Sequence, residues 1–280
     1  MRWIKLKFDH EIVGKIGSMA LIRKNEHDID YNVFSRLGMD LSPDFIWVSS
    51  GAVEIGRLDY MKRNNGMQLE GMDDFTKADY AAQGQNILME NYRRFIKPQY
   101  SVRQILVEHQ HFNNPEKREF IRELLLRSVE QNAIPIINYN DSVSSEEIRK
   151  MELYGLKQNN SDVVECVDND ETAAQIAVLV RARLLILLTS APGILKDPDN
   201  PSTLIESVEG KDVYELVGKI GELEKYCRGS SREGSQGMKA KLKFLTEPIQ
   251  YGTTVIIGHS RYRLKDLIEG NVERTIFRVR

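Results

Sequence analysis

The sequence predicts an α/β fold, a three-layer sandwich in which helices cover both faces of a mainly parallel sheet. Two observations lead to this prediction. Short apolar segments rich in Val and Ile alternate with longer segments of helical periodicity along the 280 residues, and Gly, Ser, Asn or Asp bounds the short segments. Such alternation is typical of parallel strands joined by helices that pack on both sides of a sheet.

Six apolar segments have the length of strands that are buried on both faces. These predicted strands are residues 11–16, 45–48, 102–107, 134–137, 184–188 and 253–257. Segments with apolar residues at helical spacing lie at 77–96, 115–131, 171–182 and 237–251. The most polar stretches, 64–74, 146–161 and 197–202, are predicted to be long surface loops. No change in composition marks a linker, so we expect one continuous domain with two lobes, residues 1–165 and 166–280.

Composition argues against several classes of protein. Hydrophobic residues make up 41% and charged residues 29%, the balance of a globular protein with a full-sized core. A formal net charge of −2 gives no electrostatic argument for a nucleic-acid or membrane partner. Neither a membrane-spanning run nor the apolar core of a secretion signal is found. Two cysteines, Cys166 and Cys227, are too few for a disulfide framework or a zinc site. We therefore expect a cytoplasmic location.

Small and amide-bearing residues follow four of the predicted strands. They occupy residues 15–18, 49–52, 138–141 and 189–193, and they include one lysine and one carboxylate. In open α/β sheets, ligands bind beyond the carboxyl ends of the strands. Gly and Ser are also ordinary turn residues, which explains each segment taken alone. Their joint placement at one edge predicts a binding site.

A glycine- and serine-containing turn at 234–237 forms a second candidate anion site. It opens a predicted helix whose first residues include Lys239 and Lys241. Backbone N–H groups and ammonium groups at a helix start suit a phosphate chain, although a solvated basic helix face is the alternative. Neither the P-loop pattern nor the dinucleotide-binding glycine pattern occurs, which argues against those two classes.

The acidic segment 168–171 opens an Ala-rich predicted helix and has two interpretations. Asp168 and Glu171 have the spacing of a capping box. Asp170 is also expected to face the strand ends where Lys15 lies. A carboxylate between two lysines can hold both for phosphoryl transfer, and carboxylates near phosphates also bind magnesium. The sequence leaves both interpretations open.

The ordered motifs resemble those of the amino acid kinase family, and within it the branch that phosphorylates the γ-carboxylate of L-glutamate. The resemblance lies in seven segments that appear in the family's order: 13–18, 48–57, 81–85, 134–141, 168–170, 185–189 and 237–242. It implies a carbamate kinase-like fold with an acceptor-binding first lobe and a nucleotide-binding second lobe. Members often carry an additional RNA-modification-type (PUA) domain, and we expect none in this chain.

The resemblance also implies the chemistry, which is ATP- and magnesium-dependent formation of an acyl phosphate that opens proline biosynthesis. Lys15 and Lys241 would stabilise the transferring phosphoryl group, and Asp170 would organise both lysines. The residues implied to hold glutamate are Ser50, Gly51, Asn138, Asn169 and Asp141, the last taking the ammonium group. Those implied to contact the nucleotide are Lys15, Gly17, Ser18, Thr189, Ser190, Ser235, Gln236, Gly237, Met238, Lys239, Ala240 and Lys241. A homo-oligomer is implied as well.

Four departures from the family pattern keep alternatives open. Ser190 replaces an aspartate, Gln236 replaces a glycine, and Tyr139 replaces a glutamate. In addition, residues 149–167 separate Ile148 from Asp168, where the family has only a few residues. The insertion borders the acceptor site. A family member with a different small acceptor, and a non-catalytic regulator that binds a nucleotide or an amino acid, are therefore the alternatives.

Overall fold

The structure, a computed structural model, describes residues 8–71, 73–159, 163–166, 168–197, 199–226 and 237–280. Ser235, Gln236 and Cys227 lie outside these ranges. The strands are β1 (His10–Ile16), β2 (Ile22–Arg23), β3 (Asp28–Ile29), β4 (Phe45–Ser49), β5 (Ser101–Val107), β6 (Ala133–Tyr139), β7 (Ala182–Thr189), β8 (Ile194–Leu195), β9 (Leu204–Ile205), β10 (Ser207–Gly210), β11 (Thr254–His259) and β12 (Arg274–Val279). The helices are α1 (Tyr31–Asp40), α2 (Ala52–Arg63), α3 (Asp74–Phe95), α4 (Gln110–Asn113), α5 (Pro115–Glu130), α6 (Glu146–Asn159), α7 (Asn169–Leu179), α8 (Val213–Leu223), α9 (Gly237–Gln250) and α10 (Leu264–Glu269).

The described strands include an eight-stranded sheet with the order β10-β12-β11-β7-β1-β4-β6-β5. β12 runs antiparallel to β11, and β10 is parallel to β12, while the other six strands run in one direction. All six predicted strands lie in this sheet, and the mainly parallel arrangement is confirmed. The sheet is continuous from β5 to β10, and the division into two lobes near residue 165 stays a prediction.

Two apolar cores, one on each face of the sheet, produce the three layers. Val13 of β1 belongs to the core formed with α5, α7, α8 and α9. Ile12 and Ile16 belong to the core formed with α1, α2, α3 and α10. Because side chains alternate along a strand, Lys15 points to the same face as Val13. The alternation therefore directs the Lys15 ammonium group toward α7 and α9.

Helices α2 and α3 pack closely because glycines face each other's backbones. A Cβ atom on Gly56 would lie 1.9 Å from the Tyr80 carbonyl oxygen, and one on Gly84 would lie 1.8 Å from the Ala52 carbonyl oxygen. Any larger residue would push the helices apart. This contact fixes the helix that carries Gln85 against the edge of the sheet where β4 and β6 end. None of the helices in the described ranges combines the length and apolarity that crossing a bilayer requires.

Two predictions about individual elements are wrong. Residues 146–161 are not a loop, because α6 occupies most of this segment. The start of α6 is fixed by another helix, since the Glu146 N–H donates to the Asp74 carboxylate over 2.6 Å. Among the apolar side chains of α6, Leu153 is buried whereas Met151 is exposed. The spacing of apolar residues in this segment therefore did not lead to the prediction of a helix. The strand β5 is not buried on both faces either, because it lies at the sheet edge with Ser101 and Gln104 exposed.

Candidate functional site

Three charged side chains meet beyond the carboxyl end of β1. The Lys15 Nζ lies 2.7 Å from one carboxylate oxygen of Asp170, and the Lys241 Nζ pairs with the other. Lys15 comes from β1, Asp170 from the first turn of α7, and Lys241 from the first turns of α9. We call this group the lysine–aspartate triad. The structure thus brings together residues from the beginning, middle and end of the chain.

Burial makes the triad electrostatically unusual. Lys15 is 7% exposed and Asp170 is 3% exposed. Burial lowers the pKa of Lys15 to about 8, an effect that the Asp168 carboxylate opposes. Burial, followed by the charge of Lys15, lowers the pKa of Lys241 to about 7. Two ammonium groups share one carboxylate, so the charged triad carries one uncompensated positive charge and suits an anion.

Asp170 is held in place by the start of its own helix. One Asp168 carboxylate oxygen accepts hydrogen bonds from the N–H groups of Asp170, at 2.7 Å, and Glu171, at 3.0 Å. Asp168 is therefore the N-cap of α7, and the Glu171 carboxylate accepts from the Glu165 N–H over 3.1 Å. The two interpretations of the acidic segment are thus compatible, since Asp168 caps the helix while Asp170 contacts the lysines.

Gly17 and Ser18 follow β1 directly and lie beside the triad. A Cβ atom on Gly17 would be 3.6 Å from the Lys15 Nζ, so this position adjoins the ammonium group. Ser18 begins a 3₁₀ turn that ends at Ala20. The first N–H groups of such a turn have no partner within it, and they can donate to an anion.

A chain of hydrogen-bonded amides forms a second group next to the triad. Starting from the sheet edge, Gln104 accepts from Gln85 (3.3 Å), and Gln85 accepts from Asn138 (2.9 Å). Asn169 then donates both to Asn138 (2.9 Å) and to the Ser50 hydroxyl (2.9 Å). We call this chain the amide network. The Asn169 Oδ1 is buried and has no hydrogen-bond partner in the described part of the chain, which leaves it available to a ligand donor.

The end of β4 that carries Ser50 is fixed by a separate set of hydrogen bonds. Trp47 Nε1 donates to the Tyr92 hydroxyl over 2.9 Å, and that hydroxyl donates to Ser49 over 2.8 Å. Gly51 follows with a φ angle of +117°, a conformation that favours glycine, and caps α2. Ser50 and Gly51 are therefore presented by a rigid strand end.

Asp141 and Arg149 come from the segment after β6 and from α6. Asp141 is half-buried after β6, and burial raises the pKa of its carboxyl to about 6 while Arg149 and Lys77 oppose the shift. Arg149 lies in the first turn of α6. Its guanidinium donates to the Cys166 carbonyl over 3.4 Å and lies 5.7 Å from the centre of the Tyr139 ring.

Several residues implied to contact the nucleotide make contacts outside the triad. Lys239 pairs with Glu224 at 3.0 Å, Met238 packs against the apolar core, and Ala240 is buried. The Thr189 hydroxyl closes a turn with Ala191, and Ser190 is exposed. The roles assigned to them, and to Ser235 and Gln236 outside the described ranges, stay predictions.

Two residues that the geometry places at the site were absent from the predicted set. Gln85 is the last residue of the motif 81–85, and its amide joins α3 to the amide network. Arg149 is the first residue of the insertion 149–167, which was expected to border the acceptor site, but its segment was predicted to be a loop and no side chain in it was singled out. The motif was therefore the signal for Gln85, and the insertion as a whole was the signal for Arg149.

Comparisons with known proteins agree with this geometry. The model of the amino acid kinase family matches residues 12–259. A glutamate 5-kinase from Alkaliphilus metalliredigens is 32% identical over 282 residues, which cover 95% of this chain and 95% of the relative. A glutamate 5-kinase from Enterococcus faecalis is 27% identical, with 98% and 96% covered.

Solved structures resemble the fold at low sequence identity. A carbamate kinase from Giardia lamblia bound to AMP-PNP has a TM-score of 0.56 at 13% identity, with 95% of this chain and 98% of the other covered. A UMP kinase from Ureaplasma parvum has a TM-score of 0.55 at 12% identity, with 96% and 98% covered. These likenesses confirm the carbamate kinase-like architecture. On the match over most of its length, the chain belongs to the amino acid kinase family.

Proposed function

We propose that this protein transfers the γ-phosphoryl group of ATP to the γ-carboxylate of L-glutamate and so forms glutamyl 5-phosphate, the first step of proline biosynthesis. The observation that carries the proposal is the lysine–aspartate triad placed directly beside the amide network. The first group suits a transferring phosphoryl group, and the second suits a small polar acceptor. Relatives named glutamate 5-kinase, 27% and 32% identical over nearly the whole chain, support the choice of acceptor.

The reaction requires the protein to align the two substrates and to stabilise the negative charge of the phosphoryl group. A carboxylate oxygen of the acceptor forms a bond to the γ-phosphorus, and the bond from that phosphorus to the bridging oxygen breaks to release ADP. Because the acceptor is already ionised, no strong general base is needed. Lys15 and Lys241 stabilise the negative charge of the phosphoryl group during transfer, and Asp170 keeps both ammonium groups in position.

Magnesium enters this proposal with the nucleotide. Both carboxylate oxygens of Asp170 already contact lysines, and the described residues contain no group of three or more His, Cys, Asp or Glu placed to hold a metal. Mg²⁺ commonly keeps several waters and binds substrate phosphates with few protein ligands. The residues present therefore fit a metal that is carried mainly by the phosphates, where it would neutralise part of their charge.

The proposal is tested by trapping the product. With L-glutamate, ATP and Mg²⁺, we expect ADP release that depends on glutamate, together with formation of the γ-hydroxamate when hydroxylamine is present. Lys15→Met should reduce the rate by about 10³-fold, since it removes a preorganised cation. Lys265→Met is the matched control, because this lysine is 66% exposed and pairs with Glu269 on its own helix. A folded protein without glutamate-dependent turnover contradicts the proposal.

A different small acceptor is the second candidate, favoured by α6 and Tyr139 at the acceptor side. Screening small carboxylates, carbamate and phosphate monoesters for stimulated ADP release separates the two candidates. A strict preference for glutamate excludes the second one. Loss of a measured turnover in Lys15→Met would also exclude a purely regulatory role. Cytoplasmic location and assembly into a homo-oligomer stay predictions.

A further inference from the structure

Asp141 and Arg149 are opposite charges near enough to influence each other, but they do not form an ion pair. Both are half-buried, and the Arg149 charge is among the influences that lower the pKa of the Asp141 carboxyl. Yet in the described ranges neither takes part in an ion pair within 4.0 Å. Partly buried charges without partners are unfavourable, because they lose hydration without a compensating contact. A ligand that carries both signs of charge would supply that contact.

The guanidinium of Arg149 uses only some of its N–H donors within the described part of the chain. It contacts the Cys166 carbonyl, at 3.4 Å, and the face and hydroxyl of Tyr139. A guanidinium presents a planar fork of several N–H donors, and a carboxylate binds such a fork through two parallel hydrogen bonds. The contact with Cys166 and Tyr139 therefore orients the group and leaves donors for a ligand carboxylate.

Both charges are tied to the chain segments that carry the amide network. Asp141 follows β6 three residues after Asn138, and Arg149 is hydrogen-bonded to Cys166, just before the N-cap of α7. Asn169, the first residue of that helix, carries the buried Oδ1 without a partner. The region between the two charges thus adjoins an acceptor atom suited to an ammonium group.

The neighbouring lysines are less suited to the same task. Lys77 lies 4.0 Å from Glu146 with 55% of its side chain exposed. Lys150 pairs with Glu146 at 2.7 Å with 71% exposed. Both ammonium groups already have the same carboxylate as a partner, and both are better hydrated than the guanidinium of Arg149.

We propose that Arg149 binds the α-carboxylate of the acceptor, while Asp141 takes its ammonium group as the family resemblance already implies, so that α6 restricts the enzyme to amino acids with a free α-carboxylate. This inference rests on the proposed function. It makes the inserted helix a determinant of specificity, because the helix supplies a charge-assisted contact to a part of the substrate that does not react. In this arrangement the side-chain carboxylate of the acceptor points toward the lysine–aspartate triad.

The test compares L-glutamate with its α-amide, which keeps the γ-carboxylate and the ammonium group but lacks the α-carboxylate. The wild-type chain should prefer glutamate in kcat/KM by about 10²-fold, the value of one charged hydrogen-bonding contact. Arg149→Met should raise the KM for glutamate by about 10- to 100-fold, leave the α-amide nearly unaffected, and so remove most of the preference. Arg149→Lys should keep part of it, and Lys150→Met, the next residue on α6, is the matched control.

The outcomes separate the two proposals. If wild type phosphorylates glutamate and Arg149→Met weakens both acceptors equally, the residue is merely structural and the inference is wrong. It is also wrong if the preference survives in Arg149→Met, or disappears in Lys77→Met instead. A wild-type chain that does not phosphorylate glutamate overturns the proposed function and this inference together. If Arg149→Met does not fold, an undiminished preference in Arg149→Lys together with an unchanged KM for glutamate overturns the inference.

Discussion

The lysine–aspartate triad and the amide network lie side by side at one edge of the sheet, yet they are built from different interactions. The triad consists of charges in direct contact, with two cations sharing one buried anion. The amide network consists of neutral side chains, each oriented by the next. The triad carries a positive charge that can bind an anion, whereas the amide network fixes the positions of neutral side chains. We therefore expect changes in the triad to affect mainly turnover and changes in the amide network to affect mainly the KM for the acceptor.

The largest effect should come from Asp170→Asn, which removes the only anion that contacts both lysines in the described part of the chain. The two ammonium groups would then repel each other across a neutral amide, opposed by the charge of Asp168, and their pKa values would fall further. We expect turnover to drop by about 10³-fold and the free energy of unfolding to fall by about 3 kcal/mol. The γ-hydroxamate assay and urea denaturation measure the two quantities.

Glu119→Gln is the control for this change, because the Glu119 side chain is 59% exposed and pairs with Arg122 at 3.3 Å on the same helix, α5. Exposed pairs contribute at most about 1 kcal/mol, so stability and turnover should change little. Equal losses in the two variants would contradict the special role of the buried carboxylate.

A smaller and different effect is expected from Asn138→Ala in the amide network. The substitution removes one hydrogen bond each from Gln85 and Asn169, which keep their bonds to Gln104 and Ser50. The amide network is thereby interrupted at its centre while the triad keeps its charges. The KM for the acceptor should rise by about 10- to 100-fold while kcat changes by less than about tenfold. Steady-state kinetics with varied glutamate and saturating ATP measures this split.

Asn91→Ala provides a matched comparison within the same layer. Asn91 is also buried, but within the described ranges its amide donates only to the Ile87 carbonyl of its own helix, over 2.8 Å. This variant should lose about 1 kcal/mol of stability without a change in the KM for glutamate. A rise in KM of similar size in both variants would mean that the amide network has no specific role at the pocket.

The same contrast explains what the sequence could predict. The triad was predictable because each member lies in a motif at a strand end or helix start, and parallel strands bring such ends to one edge. The direction of Lys15 follows from strand alternation, and the Asp168 cap follows from helix-start chemistry. The sheet and its helices follow from the same short-range periodicities.

The remainder depends on contacts that no short segment reveals. Helix α6 starts on Asp74, a residue far away in sequence, and the polar composition of its segment favoured a loop. Arg149 acquires its position only once that helix is docked. The strand β12 was also missed, since it lies beyond β11 with four of its six residues not buried. Local sequence patterns therefore give little indication of elements whose position depends on polar contacts with residues far away in the sequence.

The smallest expected effect is a displacement of the pH profile, which distinguishes the titrating triad from the amide network that does not titrate. The pKa values of Lys241 and Lys15 are lowered to about 7 and about 8, so both ammonium groups are charged below these values. In the free enzyme, kcat/KM for ATP should therefore be highest at or below about pH 7 and should fall as the pH rises through 8. Lys241→Arg keeps its charge throughout this range, so its profile should begin to fall about one pH unit later.

Two controls should leave the pH profile unchanged. They are Asn138→Ala and Lys243→Arg, the latter at an exposed position on the same helix as Lys241. If the midpoints of the alkaline fall in kcat/KM are identical for wild type and Lys241→Arg at constant ionic strength, the Lys241 ammonium does not control that fall. The distinction between a charged triad and a neutral amide network would then lose its electrostatic basis.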